Sequence, residues 1–295
     1  MWWRGWRSYF RNRTDNTDNN QFITEEWKKK LKMKFDDLDT QMRVFETAHD
    51  HCVLPGIFMV ARLDGRGFTR LTRQEHKFEA PFDERFRDYM TITAGHLMTC
   101  GFRAVYGHTQ SDEISILLHR DEASFDRKLR KLNSILAGEA SACISLHLDS
   151  LASFDCRISQ LPTEQLVVKY FRWRQEDATR NALNSHCYWL MRKAGKTVKE
   201  ATAFLTGQTT ADKNEFLFHH GINFNKLPAW ERRGVGLYWE TYKKTGENPK
   251  TGELATATRR RVKVDKELPM KETYDTFIRS RIAEAKTQAA SRRRA

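Results

Sequence analysis

Two aspartates carry the most specific chemistry this sequence can support. Asp64 follows the apolar run Ile57-Phe58-Met59-Val60-Ala61-Arg62-Leu63 and opens the turn Asp64-Gly65-Arg66-Gly67-Phe68. Asp112 lies in Tyr106-Gly107-His108-Thr109-Gln110-Ser111-Asp112-Glu113, directly ahead of Ile114-Ser115-Ile116-Leu117-Leu118. Both apolar runs read as buried strands, so one sheet can hold the two carboxylates side by side at strand edges. Gly65 and Gly67 let the backbone after the first acid approach phosphates closely. Two carboxylates sharing hard divalent cations, beside such a cradle, form the core of a two-metal phosphoryl-transfer site. Either motif alone is also compatible with a plain turn. Asp-Gly after a strand is ordinary turn chemistry, and Ser-Asp-Glu before a strand fits a solvated hairpin. Their succession along the chain is far more specific than either one.

In that succession the residues resemble the two catalytic motifs of the tRNA-His guanylyltransferase family, and among its members the bacterial-type relatives that repair tRNA 5′ ends. The likeness continues through Phe154-Asp155-Cys156-Arg157, Trp173-Arg174-Gln175-Glu176-Asp177, Ala211-Asp212-Lys213-Asn214-Glu215, Ile222-Asn223-Phe224-Asn225 and Leu227-Pro228. It spans roughly residues 35–239. The resemblance implies an α+β fold: a polymerase- or cyclase-like palm, meaning an antiparallel sheet flanked by helices, with additional helices and a C-terminal hairpin. It implies nucleotide addition to tRNA 5′ ends in the 3′-to-5′ direction, with GTP and ATP as substrates and two Mg2+ ions. It further implies tRNA as partner and a homo-oligomer, tetrameric by family analogy.

The resemblance also distributes roles. Asp64, the Gly65 carbonyl and Asp112 would hold the magnesium ions, oxygen donors suiting magnesium better than zinc. Glu113 would orient the metal shell, although a plain strand-starting acid fits it nearly as well. Backbone N–H groups of Arg66, Gly67 and Phe68 would cradle phosphate, with Thr69 and Ser111 beside them. Lys131 would neutralise triphosphate charge, its Lys-x-x-Ser spacing to Ser134 being the family's. Lys128 stands where the family commonly has arginine, so charge is kept and bidentate geometry lost. RNA contacts are expected from Arg127, Arg130, Arg174, Arg180 and Asn181. Two departures favour templated repair over dedicated guanylyl addition. Thr179-Arg180-Asn181 replaces the eukaryotic His-Ile-Asn run, and Ala80-Pro81-Phe82-Asp83 replaces Lys-Pro-Asn-Asp. The alternatives are a palm-domain nucleotide cyclase-like enzyme and a non-catalytic tRNA-binding protein. The first sits poorly with the basic charge, and the second with the intact acid pair.

The 295 residues carry a net charge of +13 and a pI near 9.6, a balance that favours a polyanionic partner. The five cysteines are scattered without a Cys-x-x-Cys pair, so they read as reduced core residues and not as a zinc ribbon or disulfide framework. No apolar run is long enough for a membrane span, and a cytoplasmic location is expected. Residues 1–32 form a basic extension rich in tryptophan, expected to be poorly ordered. An RNA-binding arm, an organelle transit peptide and an extension ahead of a start at Met33 all fit it.

The elements that must position the acids follow from periodicity. Residues 33–160 are expected to be the palm-like catalytic part. Helices are predicted over residues 35–50, 83–100 and from Ser124 to about Ser150, with a hairpin from residues 103–106 and 113–118 and a strand over 154–160. Residues 67–78 are expected as a basic loop. Residues 161–269 are expected to pack on the palm as helices over 164–192, 197–205 and 210–218, then a hairpin from residues 237–242, 246–253 and 256–264. Phe216, Phe218, Phe224 and Trp230 are expected in the core. Residues 270–295 read as a basic C-terminal helix and tail.

Overall fold

In the computed structural model, which describes residues 25–247 and 254–292, side-chain alternation on one central strand organises two packed layers. β1 (Phe58–Gly65) sends Met59, Ala61 and Leu63 to one face and Phe58 and Val60 to the other, and all five are buried. A strand covered on both sides must read as a continuous apolar run, which is why Ile57 to Leu63 shows no polar alternation until Arg62. The helix Glu25–Thr47 (α1) precedes it in the chain and belongs to a unit separate from residues 51–295. It starts ten residues earlier than the periodicity suggests, and Phe35, Leu38, Met42, Val44 and Phe45 on it are exposed.

Within residues 51–295, β1 is followed by the three-residue helix α2 (Phe68–Arg70) and a π-turn over Leu71–Glu75. The expected loop is therefore largely helical. The helix α3 (Glu84–Leu97) is capped by Asp83, whose side chain accepts from the Arg85 amide, as an N-cap aspartate should. Next come β2 (Ala104–Gln110), β3 (Glu113–Leu118), a short 3-10 turn over Ser124–Arg127, α4 (Leu129–Leu148) and β4 (Phe154–Leu161). α4 begins five residues later than predicted. Phe125, Asp126 and Arg127 adopt left-handed backbone conformations, and Arg127 sends its guanidinium inward to the carbonyls of Val53, Ile57, Arg120 and Glu122.

The long helix α5 (Glu164–Lys193), then α6 (Val198–Leu205), α7 (Thr210–His219) and the short α8 (Ala229–Arg233) follow. Both α6 and α7 open on capping boxes, Thr197 with Glu200 and Thr209 with Asp212. The chain then returns to the sheet as β5 (Val235–Glu247) and β6 (Leu254–Asp265), and ends in α9 (Lys271–Arg292). The extension before residue 25, the hairpin tip over 248–253 and the final arginines at 293–294 lie outside the described residues.

All six strands form one antiparallel sheet in the order β4-β1-β3-β2-β5-β6. The C-terminal hairpin thus extends the sheet of the first half. One face packs α3 and α4 over Met59, Ala61, Leu63, Ile114 and Ile116. The other packs α5 and α9 over Phe58, Val60, Leu117, Phe171 and Ile278. A satellite cluster under α5–α7 contains Leu183, Leu217 and Phe224, with Phe216 packed against it. Phe218 departs from expectation, since 67% of it is exposed. It follows Leu217, the buried position of α7, and a helical step of one residue turns it about 100° away toward solvent.

Candidate active site

The acids sit at one end of the sheet because β1, β3 and β4 all terminate there. Register pairs Asp64 with Glu113 on one side and with Asp155 on the other. β2 and β3 are joined by the two-residue turn Ser111-Asp112, with Ser111 at φ +55°. Asp112 is therefore at the tip of a tight hairpin. The Gly65 amide donates to the Asp112 main-chain carbonyl at 3.1 Å, which fastens that tip to the end of β1. Burial raises the Asp112 carboxyl above its ordinary pKa, and the neighbouring charge of Asp64 adds to this.

Basic groups flank the acids on the α5 side. Arg62 bonds Glu113 and lies 3.9 Å from Asp64. Arg157 lies 3.3 Å from Asp155 and 3.9 Å from Asp64. Arg174, only 4% exposed, bridges Glu113 at 2.8 Å and Asp177 at 2.7 Å. Glu113 is thus gripped by two guanidiniums, which makes it an anchor between β3 and α5. Asp177 also receives Arg180 and, at 3.3 Å, Asn181.

A cavity of about 580 Å³ opens beside Asp112, and a smaller polar one of about 160 Å³ adjoins it. Thr69, Ser111 and Asp112 line the larger, together with Phe82, Tyr188 and Trp189. Arg174, Asp177 and Asn181 line the smaller. Arg73 borders both. Its guanidinium donates to the carbonyls of Phe78, Glu79 and Pro81 and lies 5.1 Å from the Trp189 ring centroid. Arg73 and the aromatic wall are the site residues that motif reading missed. The signal was a stripe on α5: Arg174, Asn181, Ser185, Tyr188 and Arg192 recur at helical spacing and face the cavities.

The structure corrects several expectations. Arg66 cannot lend its N–H to a phosphate, because it donates to the Ser153 carbonyl at 2.9 Å. The β1–β4 pairing runs on past Gly65 and consumes it. Gly67, at φ +72°, then starts α2, leaving the Gly67, Phe68 and Thr69 amides ahead of the first intrahelical donor. Gly65 itself is sterically required, since a Cβ there would lie 2.5 Å from the Phe68 ring.

Lys128 and Lys131 are not brought to the acids. Lys128 pairs with Cys52, and Arg127 with Ile57, at the start of β1. Asp64 is near its far end, roughly 20 Å away at about 3.3 Å per residue. Arg130, at the start of α4, shares that remote end. Arg127 and Arg174 were expected to face RNA, but both guanidiniums are buried and spent on protein carbonyls or carboxylates. Arg180 and Asn181 remain exposed beside the smaller cavity.

Magnesium takes one or two carboxylates together with other oxygens and the substrate's own phosphates. Asp64, Asp112 and the Gly65 carbonyl would offer oxygen donors of that kind, and a cation there would relieve the pKa elevation at Asp112. Among the described residues no group of three or more His, Cys, Asp or Glu side chains could hold a metal. No described helix is long and apolar enough to cross a membrane.

Comparison with known proteins agrees with the motif reading. Residues 39–162 match the tRNAHis guanylyltransferase family model and residues 165–279 match the Thg1 C terminal domain. A probable tRNA(His) guanylyltransferase of Drosophila melanogaster is 35% identical over 198 residues, covering 64% of this chain and 69% of the relative. A bacterial tRNA(His) guanylyltransferase (Thg1)-like protein in complex with ATP superposes with a TM-score of 0.65 at 26% identity, covering 83% of this chain and 99% of the other. Its complex with GTP gives 0.61 with the same identity and coverage. With both family models matched and the acid-bearing hairpin and strand in place, the chain belongs to the tRNA(His) guanylyltransferase family, a family of tRNA nucleotidyltransferases.

Proposed function

We propose that the protein adds nucleotides to the 5′ end of a tRNA in the 3′-to-5′ direction on its palm-like sheet. The observation that supports this is the backbone bond from Gly65 to Asp112, which fastens the end of β1, just after Asp64, to the hairpin tip whose Asp112 lines the 580 Å³ cavity. The solved relatives in complex with ATP and GTP support a nucleotide in that cavity. In the addition step the 3′-hydroxyl oxygen of the incoming nucleotide forms a bond to the 5′-terminal phosphorus of the RNA. The bond to the leaving group breaks, releasing pyrophosphate from a 5′-triphosphate end or AMP from an end activated with ATP.

Asp64, Asp112 and the Gly65 carbonyl would hold two magnesium ions, which when bound lower the pKa of the attacking hydroxyl and stabilise the leaving phosphate. The amides of Gly67 and Phe68 orient phosphate oxygens. Trp189 and Tyr188 offer faces for the base, and Arg73 fixes the loop over residues 78–81 that closes one wall. Glu113 and Arg174 hold the α5 face at its distance from the acids. Thr179 favours templated repair: its hydroxyl shares its one proton between the Gln175 and Arg232 carbonyls, where eukaryotic relatives present a histidine.

The test is incubation with labelled GTP, Mg2+ and a 5′-truncated tRNA, in parallel with intact tRNA-His. Extended truncated tRNA supports the reading. A cyclic dinucleotide would make the protein a cyclase, and no product would leave only a binding protein.

A further inference from the structure

The end of the sheet away from the acids holds a second basic site. β2 pairs with β5 only from Tyr106↔Tyr238 to Thr109↔Val235, whereas β5 and β6 stay paired out to Glu247↔Leu254. The β5–β6 ribbon therefore parts from the sheet beyond Tyr238. A cleft of about 230 Å³ opens at the parting. Trp239 lines it and donates its Nε1–H to the Ala104 carbonyl at 2.9 Å.

Arginines from three separate elements converge on this cleft: Arg103 ahead of β2, Arg260 on β6 and Arg281 on α9. Arg260 lies 4.4 Å from the Trp239 ring centroid, and Arg281 lies 4.8 Å from that of Tyr238. Aromatic faces fix guanidiniums in place without cancelling their charge. One acid lines the cleft, Glu284, at 2.7 Å from Arg281. His119 adds no negative charge and little positive charge, because burial lowers its pKa and the Arg103 charge lowers it further. The lining itself counts three arginines against that one carboxylate, with Asp121 and Glu122 close to His119. It runs on into the ribbon, where Lys243, Lys244, Arg259, Arg261 and Lys263 outnumber Glu240, Glu247 and Asp265, with Arg261 paired to Glu240.

Size selects the ligand. The cleft is smaller than the ~300 Å³ lower end of small-molecule sites, so it suits a single phosphate group and not a nucleoside triphosphate. Its open mouth on a basic ribbon suits a phosphate that belongs to a chain of them. We propose that Arg103, Arg260 and Arg281 grip a backbone phosphate of the tRNA at the far end of β2, roughly 20 Å from Asp112 at about 3.4 Å per residue. The body of the RNA is thereby held while its 5′ end occupies the acid-lined cavity. The inference rests on the tRNA reading above.

The experiment uses the full chain. An Arg103→Ala/Arg260→Ala double variant and the corresponding Arg→Lys pair are titrated against fluorescent tRNA over a range of salt. GTP affinity and thermal melting are measured alongside. The Ala pair is expected to weaken tRNA binding about tenfold and to flatten the log–log salt dependence by about 0.7–0.9 for each phosphate no longer neutralised. GTP affinity is expected to stay unchanged, and the Lys pair to keep most of the salt dependence. Should the Ala pair melt early, the single Arg103→Gln variant, at an exposed residue, carries the same expectation. Unchanged tRNA affinity and salt slope would overturn the inference. Loss of GTP binding with tRNA binding intact would also overturn it, making the cleft a nucleotide site. Wild-type protein that binds no tRNA would overturn the functional reading and this inference with it.

Discussion

The Gly65 amide and the Asp112 carbonyl meet at 3.1 Å, so the end of one strand and the tip of a neighbouring hairpin share a main-chain hydrogen bond. Side-chain rotamers can change, but a backbone bond between two sheet strands moves only with the sheet. The main chains that carry the two acids therefore belong to one sheet platform.

Asp112→Ala is expected to lower nucleotide addition by at least about a hundredfold, since losing the proposed metal ligand would forfeit several kcal/mol of transition-state stabilisation. The melting temperature should not fall, because the carboxyl's raised pKa marks it as unfavourably placed when charged and without a cation. Steady-state addition assays and melting curves decide the matter. Activity within tenfold of wild type would remove Asp112 from the site.

Gly65→Ala tests the turn after β1. The added methyl would lie 2.5 Å from the Phe68 ring, whose neighbours Phe154 and Phe86 stand at 5.0 and 6.1 Å. Overpacking of this kind costs about 1–3 kcal/mol, and moving Phe68 would also displace the amides proposed to meet phosphate. Urea unfolding should show that loss, and GTP titration a weaker affinity. A variant with wild-type values for both would mean that Phe68 can yield freely.

His108 should make the protein acid-sensitive. Burial lowers its pKa to about 4 from an ordinary 6.5. The folded state holds the ring neutral, while the unfolded chain takes up a proton below about 6.5. Stability from this residue is therefore complete above that pH and is lost as pH falls toward 4, by on the order of 3 kcal/mol. Melting curves between those limits, compared with His108→Gln, should show the wild type falling more steeply. Parallel curves would show that the ring is protonated without cost.

Arg174→Met removes the cation shared by Glu113 and Asp177. Leaving a buried charge unpaired costs about 3–5 kcal/mol, and the figure here should fall below that range because Glu113 is 31% exposed and keeps Arg62, while Asp177 keeps Arg180. Adding Glu113→Gln should restore none of the loss, since Glu113 keeps Arg62 as a partner and its neutralisation would leave that guanidinium unpaired. Urea unfolding of both variants measures it, and an unchanged midpoint for the single variant would mean that the bridge contributes nothing net.

What the sequence settled was local. Runs such as Ile57 to Leu63 show a two-sided strand by lacking alternation, and the acids at 64 and 112 lie beside glycine and turn residues that locate them at strand ends. Capping residues and helical spacing marked α3 and α5–α7 to within a few residues. Each of these signals spans fewer than about twenty neighbours, the range over which hydrogen-bond pattern and side-chain period are set by nearby residues.

The tertiary structure decided which end of the sheet each charge reaches. Lys128 and Lys131 read as triphosphate ligands, but α4 enters at the start of β1 and leaves at its end, so its first turn is remote from Asp64. Arg127 and Arg174 look like surface cations in the sequence, yet in the fold their guanidiniums are buried against carbonyls of residues 53 and 57 and the carboxylate of residue 113. Arg66 keeps its glycine neighbours but gives up its amide to Ser153. Trp189 reaches the acid-lined cavity from more than seventy residues beyond Asp112. A side chain's partner is set by strand order and helix direction, and those come from burying both faces of one sheet at once, a condition on the whole chain that no short stretch of it contains.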